Sequence, residues 1–114
     1  MPDKTEKDKR KELLHAVREE ARRKVRDSLP VPVSVLKALF DYVDVQLESS
    51  QCDDTLRHVR DFTRSHSLPE EAVVNWLEAN GGHCDCEAVA NAEQVLEEAV
   101  PGYEDLKPSP NHSE

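Results

Sequence analysis

The constraint that most limits the fold is the placement of the cysteines. Cys84 and Cys86 are separated by one residue, and Cys52 lies more than thirty residues upstream. A Cys-x-Cys pair sets two soft ligands on one short backbone segment, and clustered cysteines in cytosolic-type sequences favour metal ligation or redox chemistry over disulfide scaffolding. An odd number of cysteines without a secretion signal also argues against an extracellular disulfide framework. We therefore predict reduced thiols that form a local site.

The core available to this chain is small. The 114 residues are 37% hydrophobic and 34% charged, and five of them are aromatic. One small domain is all that this length allows, and such a domain gains stability from a bound metal. No apolar run approaches the roughly 18 residues of a membrane span, and the N-terminus lacks the apolar stretch of a signal peptide. These features predict a cytoplasmic protein with no membrane partner.

The net charge of −9 is unevenly distributed. Residues 1–28 carry ten Lys or Arg against seven Asp or Glu, whereas residues 29–114 carry five against seventeen. The first segment is therefore +3 and the remainder −12. An acidic body repels nucleic acid and membrane phosphates, so nucleic-acid binding would have to come from residues 4–26. A protein partner is the favoured prediction.

The pattern along the chain predicts an all-α fold: a small array of four to five helices with a long charged N-terminal helix, stapled by a metal. Residues 1–28 form that charged helix, with a narrow apolar stripe whose second half alone can dock. Residues 33–100 form a helical cysteine-containing domain, and residues 101–114 a mostly disordered tail. Prolines at 30 and 32 and the glycines at 81 and 82 mark helix boundaries. Ser67 is predicted to cap the helix that follows it.

Short connections make consecutive helices antiparallel, so the helices that start near Cys52 and Cys86 should begin at the same end of the domain. This topology predicts that all three cysteines come within reach of one another. Zinc in a structural site takes four ligands, commonly Cys and His. His58, about one and a half turns beyond Cys52, is the predicted fourth ligand, and Asp54, His83 or water are the alternatives.

Other interpretations of the thiols compete with a metal site. Buried cysteines behave as small hydrophobes, and a Cys84–Cys86 pair at a helix N-terminus is also typical of a thiol-based redox protein. Carboxylates flank the cysteines, and helix capping explains them better than general acid–base catalysis. The chain has no phosphate loop, dinucleotide glycine pattern or nucleophile elbow, so an enzyme is not favoured.

Three stretches in order resemble a small bacterial family, the domain of unknown function 2695 (DUF2695). They are LFDYVDVQLE, CDDTLRHVRDF and WLEANGGHCDCEAVANAE, and the resemblance covers about residues 35–95. It implies a family hallmark at Gly81, Gly82, Cys84, Asp85, Cys86, Glu87 and Asn91, preceded by the pair Cys52 and Asp53. It also implies that relatives often carry His where this chain has Asp54 and an aromatic residue where it has His83. The resemblance strengthens the site without supplying an activity.

From the sequence we therefore predict a zinc-stabilised helical binding or adaptor module, with Cys52, His58, Cys84 and Cys86 as metal ligands. A thiol-based redox protein that uses Cys84 and Cys86 is the alternative.

Overall fold

The computed structural model describes the backbone of residues 2–110 and the side chains of residues 8–110. Its elements are α1 (Pro2–Asp27), α2 (Val33–Ser49), α3 (Arg57–Ser65), α4 (Glu70–Ala79), α5 (Asp85–Glu87), a π-helical segment (Ala88–Ala92), α6 (Glu93–Ala99) and a 3-10 turn (Tyr103–Asp105). The elements from α5 to α6 follow one another without a break, and we call them the C-terminal helix. The described residues form five helices in this sense and contain no strand, which confirms the predicted all-α class.

The helix boundaries follow the prolines and glycines. Pro32 occupies the N-cap of α2, where its missing N–H costs nothing. Gly81 follows α4 with φ of 85°, a left-handed conformation that side chains disfavour. Ser67 differs from its predicted role: α4 starts at Glu70 after Pro69, and no side chain caps it. Ser67 instead has φ of 54° in the turn between α3 and α4.

Helix α2 is the centre of the core. It packs against α3 and against all three parts of the C-terminal helix. Its apolar face is almost completely buried, as expected from its broad helical stripe of hydrophobic residues. The fully buried side chains of this face are Val35, Leu36, Leu39, Phe40 and Val43. Helix α2 thus fixes the positions of the two segments that carry the cysteines.

The end of α4 lies very close to the C-terminal helix. A Cβ atom at Gly82 would lie 2.9 Å from the Cα of Ala88 and 3.2 Å from the carbonyl oxygen of Leu77. Asn91 closes the same turn from the other side, since its side-chain amide donates to the carbonyl of Gly81 at 2.9 Å. The glycine pair therefore permits the close approach that directs the chain into Cys84.

Helix α1 docks through its second half, as predicted. Among the described elements it contacts α6 only. Arg26 donates to the carbonyl oxygen of Ala99 at 2.7 Å, and Val25 packs near Val95. At about 1.5 Å per residue, its 26 residues extend about 39 Å, so its first half projects beyond α6. No helix in the part of the chain that the structure describes is both long and apolar enough to cross a bilayer.

Residues 101–110 make specific contacts with the core. Tyr103 is buried, and its hydroxyl donates to the Glu93 carboxylate at 2.8 Å. The Lys37 ammonium donates to the carbonyl oxygen of Tyr103 at 2.6 Å, and the N–H of Ser109 donates to the carbonyl of Ser34 at 3.0 Å. The part of the predicted disordered tail beyond residue 110 lies outside the described residues.

Candidate metal centre

The sulfur atoms of the three cysteines come together at the start of the C-terminal helix. The Sγ atoms of Cys52, Cys84 and Cys86 all lie within 4.8 Å of one another, and those of Cys84 and Cys86 are 3.4 Å apart. Cys84 is buried, Cys52 is partly buried and Cys86 is exposed. The cluster therefore has one side against the protein and one side toward solvent.

A backbone hydrogen bond joins the loop before α3 to the start of α5. The N–H of Asp85 donates to the carbonyl oxygen of Thr55 at 2.9 Å. The predicted meeting of two helix N-termini is thus present, and this bond sets the loop that carries Cys52 beside the other two cysteines.

The side chain of Asp85 provides a second connection, from the centre of the Cys-Asp-Cys triplet. Its side chain is fully buried, and its two carboxylate oxygens accept from the N–H groups of His58 at 3.0 Å and Val59 at 3.2 Å. These are two of the N–H groups at the start of α3 that have no partner within the helix. Asp85 therefore caps α3 from another part of the chain, with its negative charge at the positive end of the helix.

The flanking carboxylates Asp53 and Glu87 also act in local structure. Asp53 accepts from the N–H of Thr55 at 3.0 Å, which closes the turn before α3. Glu87 accepts from the N–H of His83 at 3.1 Å, which fixes the loop before α5. Hydrogen bonding at helix starts accounts for both, as the sequence predicted, while the side chain that caps α3 directly is Asp85.

The surroundings of the sulfurs make the thiols unequal. The pKa of Cys52 is lowered, chiefly by the hydrogen bond from the Cys86 backbone and also by one from the Asp54 backbone, while burial opposes the shift. The pKa of Cys86 is raised to about 12 by hydrogen bonds with the sulfurs of Cys84 and Cys52, by burial and by their negative charge. A first thiolate is therefore favoured at Cys52, and a further negative charge beside it is opposed.

The spacing of the sulfurs suits zinc. Tetrahedral coordination with Zn–S bonds of about 2.3 Å places two sulfur ligands about 3.8 Å apart. The Cys84 and Cys86 sulfurs are 3.4 Å apart and no two of the three sulfurs are more than 4.8 Å apart, so the observed separations are compatible with that value. Thiolates are soft ligands that select zinc over hard cations such as magnesium or calcium. The three cysteines can therefore hold a metal ion with small side-chain adjustments.

Sequence comparisons place the chain in a family. Residues 39–91 match the family described as "Protein of unknown function (DUF2695)". Uncharacterized protein Rv2271 of Mycobacterium tuberculosis and Uncharacterized protein Mb2294 of Mycobacterium bovis are each 37% identical over 93 residues, which cover 81% of this chain and 90% of either relative. The chain belongs to the DUF2695 family. The DUF2695 match spans all three cysteines and Asp85, and all of α1 lies outside it. No solved structure matches the chain.

The predicted fourth ligand lies apart from the cysteine cluster. His58 is buried, and its Nε2 atom is 3.4 Å from the Ser50 hydroxyl oxygen. Its ring nitrogens are not part of the group that the three sulfurs form. Asp54 and His83, the alternatives, have exposed side chains and are also outside that group. The assignment of His58 stays a prediction.

The role of Asp85 in connecting the two cysteine-bearing segments was not predicted from the sequence. Its position between two cysteines and its resemblance to a family hallmark were the available signals. Nothing in the local sequence shows that a carboxylate caps a helix 27 residues upstream. That relation depends on the three-dimensional meeting of α3 and α5.

Proposed function

We propose that this protein is a zinc-stabilised helical module that binds a protein partner in the cytoplasm. Cys52, Cys84 and Cys86 are the three thiolate ligands of the proposed zinc ion, and His58 is the fourth. The observation that carries the proposal is the grouping of three sulfurs within 4.8 Å, although Cys52 is far from the others in sequence. Zinc bound there would join the starts of α3 and α5.

The surroundings of the sulfurs support this proposal. The backbones of Cys86 and Asp54 lower the pKa of Cys52, which favours the thiolate that a metal requires. Asp85 holds the backbone at His58 and Val59 in fixed relation to Cys84 and Cys86. Partners of this kind orient metal ligands and increase metal affinity.

The fourth ligand is proposed on chemical grounds. The backbone of His58 is bonded to Asp85, so the imidazole is attached close to the cysteine-bearing segment. A rotation of the His58 side chain would move its Nε2 atom from the Ser50 hydroxyl to the zinc ion. A water molecule in the fourth position would leave an open site, whereas His58 would close it.

Metal content tests the site directly. Protein purified without a His tag should contain about one equivalent of zinc by atomic absorption, and Cys52→Ser and Cys84→Ser should each lose most of it. A zinc content far below one equivalent, with stability unchanged by chelator, would refute the proposal.

Cobalt substitution tests the fourth ligand. The absorption bands of Co²⁺ depend on the ligand set, so His58→Gln should change the spectrum and weaken cobalt binding. His66→Gln is the matched control because His66 lies at the opposite end of α3, where its ring centroid is 4.4 Å from that of Phe62. Identical spectra for wild type and His58→Gln would assign the fourth position to water.

The second candidate is a thiol-based redox protein, favoured by the 3.4 Å separation of the Cys84 and Cys86 sulfurs. Oxidation would form one S–S bond, release two protons and pass two electrons to an oxidant such as diamide or peroxide. The raised pKa of Cys86 makes it a poor attacking thiol, so Cys52 would be the first to react. Mass spectrometry after mild oxidation should then show a loss of two hydrogen masses. Thiols that remain reduced under these conditions would exclude this function.

A further inference from the structure

The first half of α1 exposes a row of large apolar side chains. Leu13 is 66% exposed, Leu14 54% and Val17 66%, and α6 covers only the part of α1 that follows them. Their spacing puts them on one side of the helix, with Ala21 one turn further on. We call Leu13, Leu14 and Val17 the α1 stripe. An apolar row of this kind at the projecting end of a helix is typical of a protein interaction site.

A groove on the body offers a surface of matching character. It has a volume of about 370 Å³ and lies between α2, α3 and the C-terminal segment. We call it the α2 groove, and its apolar lining consists of Ala38, Tyr42, Val45, Phe62, Pro108 and Pro110. Val45 is 57% exposed. Within the described residues, the exposed large hydrophobic side chains are Val45 and the three residues of the α1 stripe.

The charges beside the two surfaces are opposite. Asp41 lines the α2 groove, and Asp44 and Glu48 follow it at helical spacing on the same exposed side of α2. Arg10 lies one turn before Leu13, and Lys24 lies two turns after Val17; both cations border the stripe, and so does the acidic Glu20. At the level of segments, residues 1–28 carry +3 and residues 29–114 carry −12. The opposite net charges of the two segments therefore favour contact between the two surfaces.

We infer that the α1 stripe of one copy docks in the α2 groove of a second copy of this chain, and that the exchange is reciprocal. Within one chain, the bond from Arg26 to the Ala99 carbonyl holds α1 on α6, and the stripe stays exposed in that position. A contact between two different surfaces either closes into a ring or continues as a filament. Reciprocal docking closes it as a dimer and uses both surfaces of both copies.

This inference does not depend on the proposed zinc site, because none of the residues in either surface is a cysteine or His58. Zinc content and molecular mass are separate measurements, so the failure of one proposal leaves the other standing. The dimer would give the module a partner of defined chemistry: a second copy with a basic helix and an acidic groove.

Sedimentation equilibrium of the full chain tests the inference. We expect a concentration-dependent dimer that weakens as salt is raised, because exposed charges are screened. Leu13→Gln with Val17→Gln, and separately Val45→Gln, should each raise the dimer dissociation constant at least about tenfold. The control is Ala72→Gln, which changes an exposed residue of α4 outside both surfaces. Circular dichroism should show unchanged helix content, since all the substituted side chains are exposed.

A mixing experiment distinguishes this dimer from one in which two α1 helices pair with each other. The Val45→Gln chain keeps an intact stripe, and the Leu13→Gln/Val17→Gln chain keeps an intact groove. Mixing them restores one complete contact, so the mixture should dimerise more tightly than either variant alone. A protein that stays monomeric at high concentration, or a dimer unaffected by Val45→Gln, would overturn the inference.

Discussion

Replacing Asp85 with alanine removes both acceptors that cap the start of α3. The N–H groups of His58 and Val59 would then lose these partners. The Asp85 side chain is fully buried, so water does not reach its position in the folded protein. A buried donor that loses its partner costs about 1–3 kcal/mol, so the two together should lower the free energy of unfolding by about 2–6 kcal/mol. Domains of this size have about 5–15 kcal/mol in total.

Urea denaturation followed by circular dichroism measures this loss, in excess chelator so that metal does not contribute. Asp85→Asn keeps one acceptor oxygen and directs an amide N–H₂ at the second donor, so its effect should be about half that of Asp85→Ala. Asp53→Ala is the matched control, since Asp53 closes an exposed turn and its removal should cost less than about 1 kcal/mol.

Two results would refute this reasoning. The first is an Asp85→Ala variant whose stability is within about 0.5 kcal/mol of Asp53→Ala, because the cap would then contribute little. The second is unchanged zinc affinity in Asp85→Asn under the metal-site proposal, since residues that orient ligands commonly contribute a factor of about 10–100. The two measurements separate the capping role from the positioning role.

Gly82→Ala should destabilise the protein by about 1–3 kcal/mol, because its Cβ would lie 2.9 Å from the Cα of Ala88, a backbone atom that cannot move alone. Gly102→Ala is the comparison: its φ of 74° is unfavourable for alanine, but no atom lies within 4 Å of an added Cβ, so it should cost only about 1 kcal/mol. Equal urea midpoints for the two variants would refute the clash at Gly82. Glu93→Gln should stabilise the protein at neutral pH, and the gain should shrink as the pH falls, because burial raises the pKa of Glu93 and the folded state binds its proton more readily than the unfolded state. A gain that grows on acidification would contradict this assignment. Tyr103→Phe should cost about 0.5–1.5 kcal/mol by thermal unfolding, since it removes one hydrogen bond and keeps the buried ring; no loss would show that the bond to Glu93 contributes nothing.

Much of the helix layout could be predicted because its signals are local. Pro32 and Gly81 act on their own φ angles and hydrogen bonds, so the boundaries they set do not depend on the rest of the fold. The buried face of α2 could also be predicted from the helical spacing of its hydrophobic residues. The meeting of Cys52 with Cys84 and Cys86 followed from the order of short connections between helices.

The contacts that sequence reasoning missed all depend on distant parts of the chain. Four carboxylates lie near the cysteines, and which of them caps α3 is decided by the packing of α5 against α3. Tyr103 lies in a polar segment with two later prolines, yet it is buried because Lys37 and Glu93 supply partners for its polar atoms. The π-helical segment likewise lies where the C-terminal helix contacts α2 and α4, and no residue within it predicts a π-helix.

The connections around the cysteines lead to an expectation about zinc and folding. Classical zinc fingers unfold without metal because the metal replaces a core. Here the hydrogen bonds of Asp85 to His58, Val59 and Thr55 already join the two segments, and the hydrophobic cluster centred on α2 contains none of the three cysteines. Chelation should therefore leave the helical circular dichroism spectrum in place and lower the unfolding temperature. Cys52→Ser without chelator should behave in the same way. Collapse of the helical signal on chelation would show that these connections cannot hold the domain without metal.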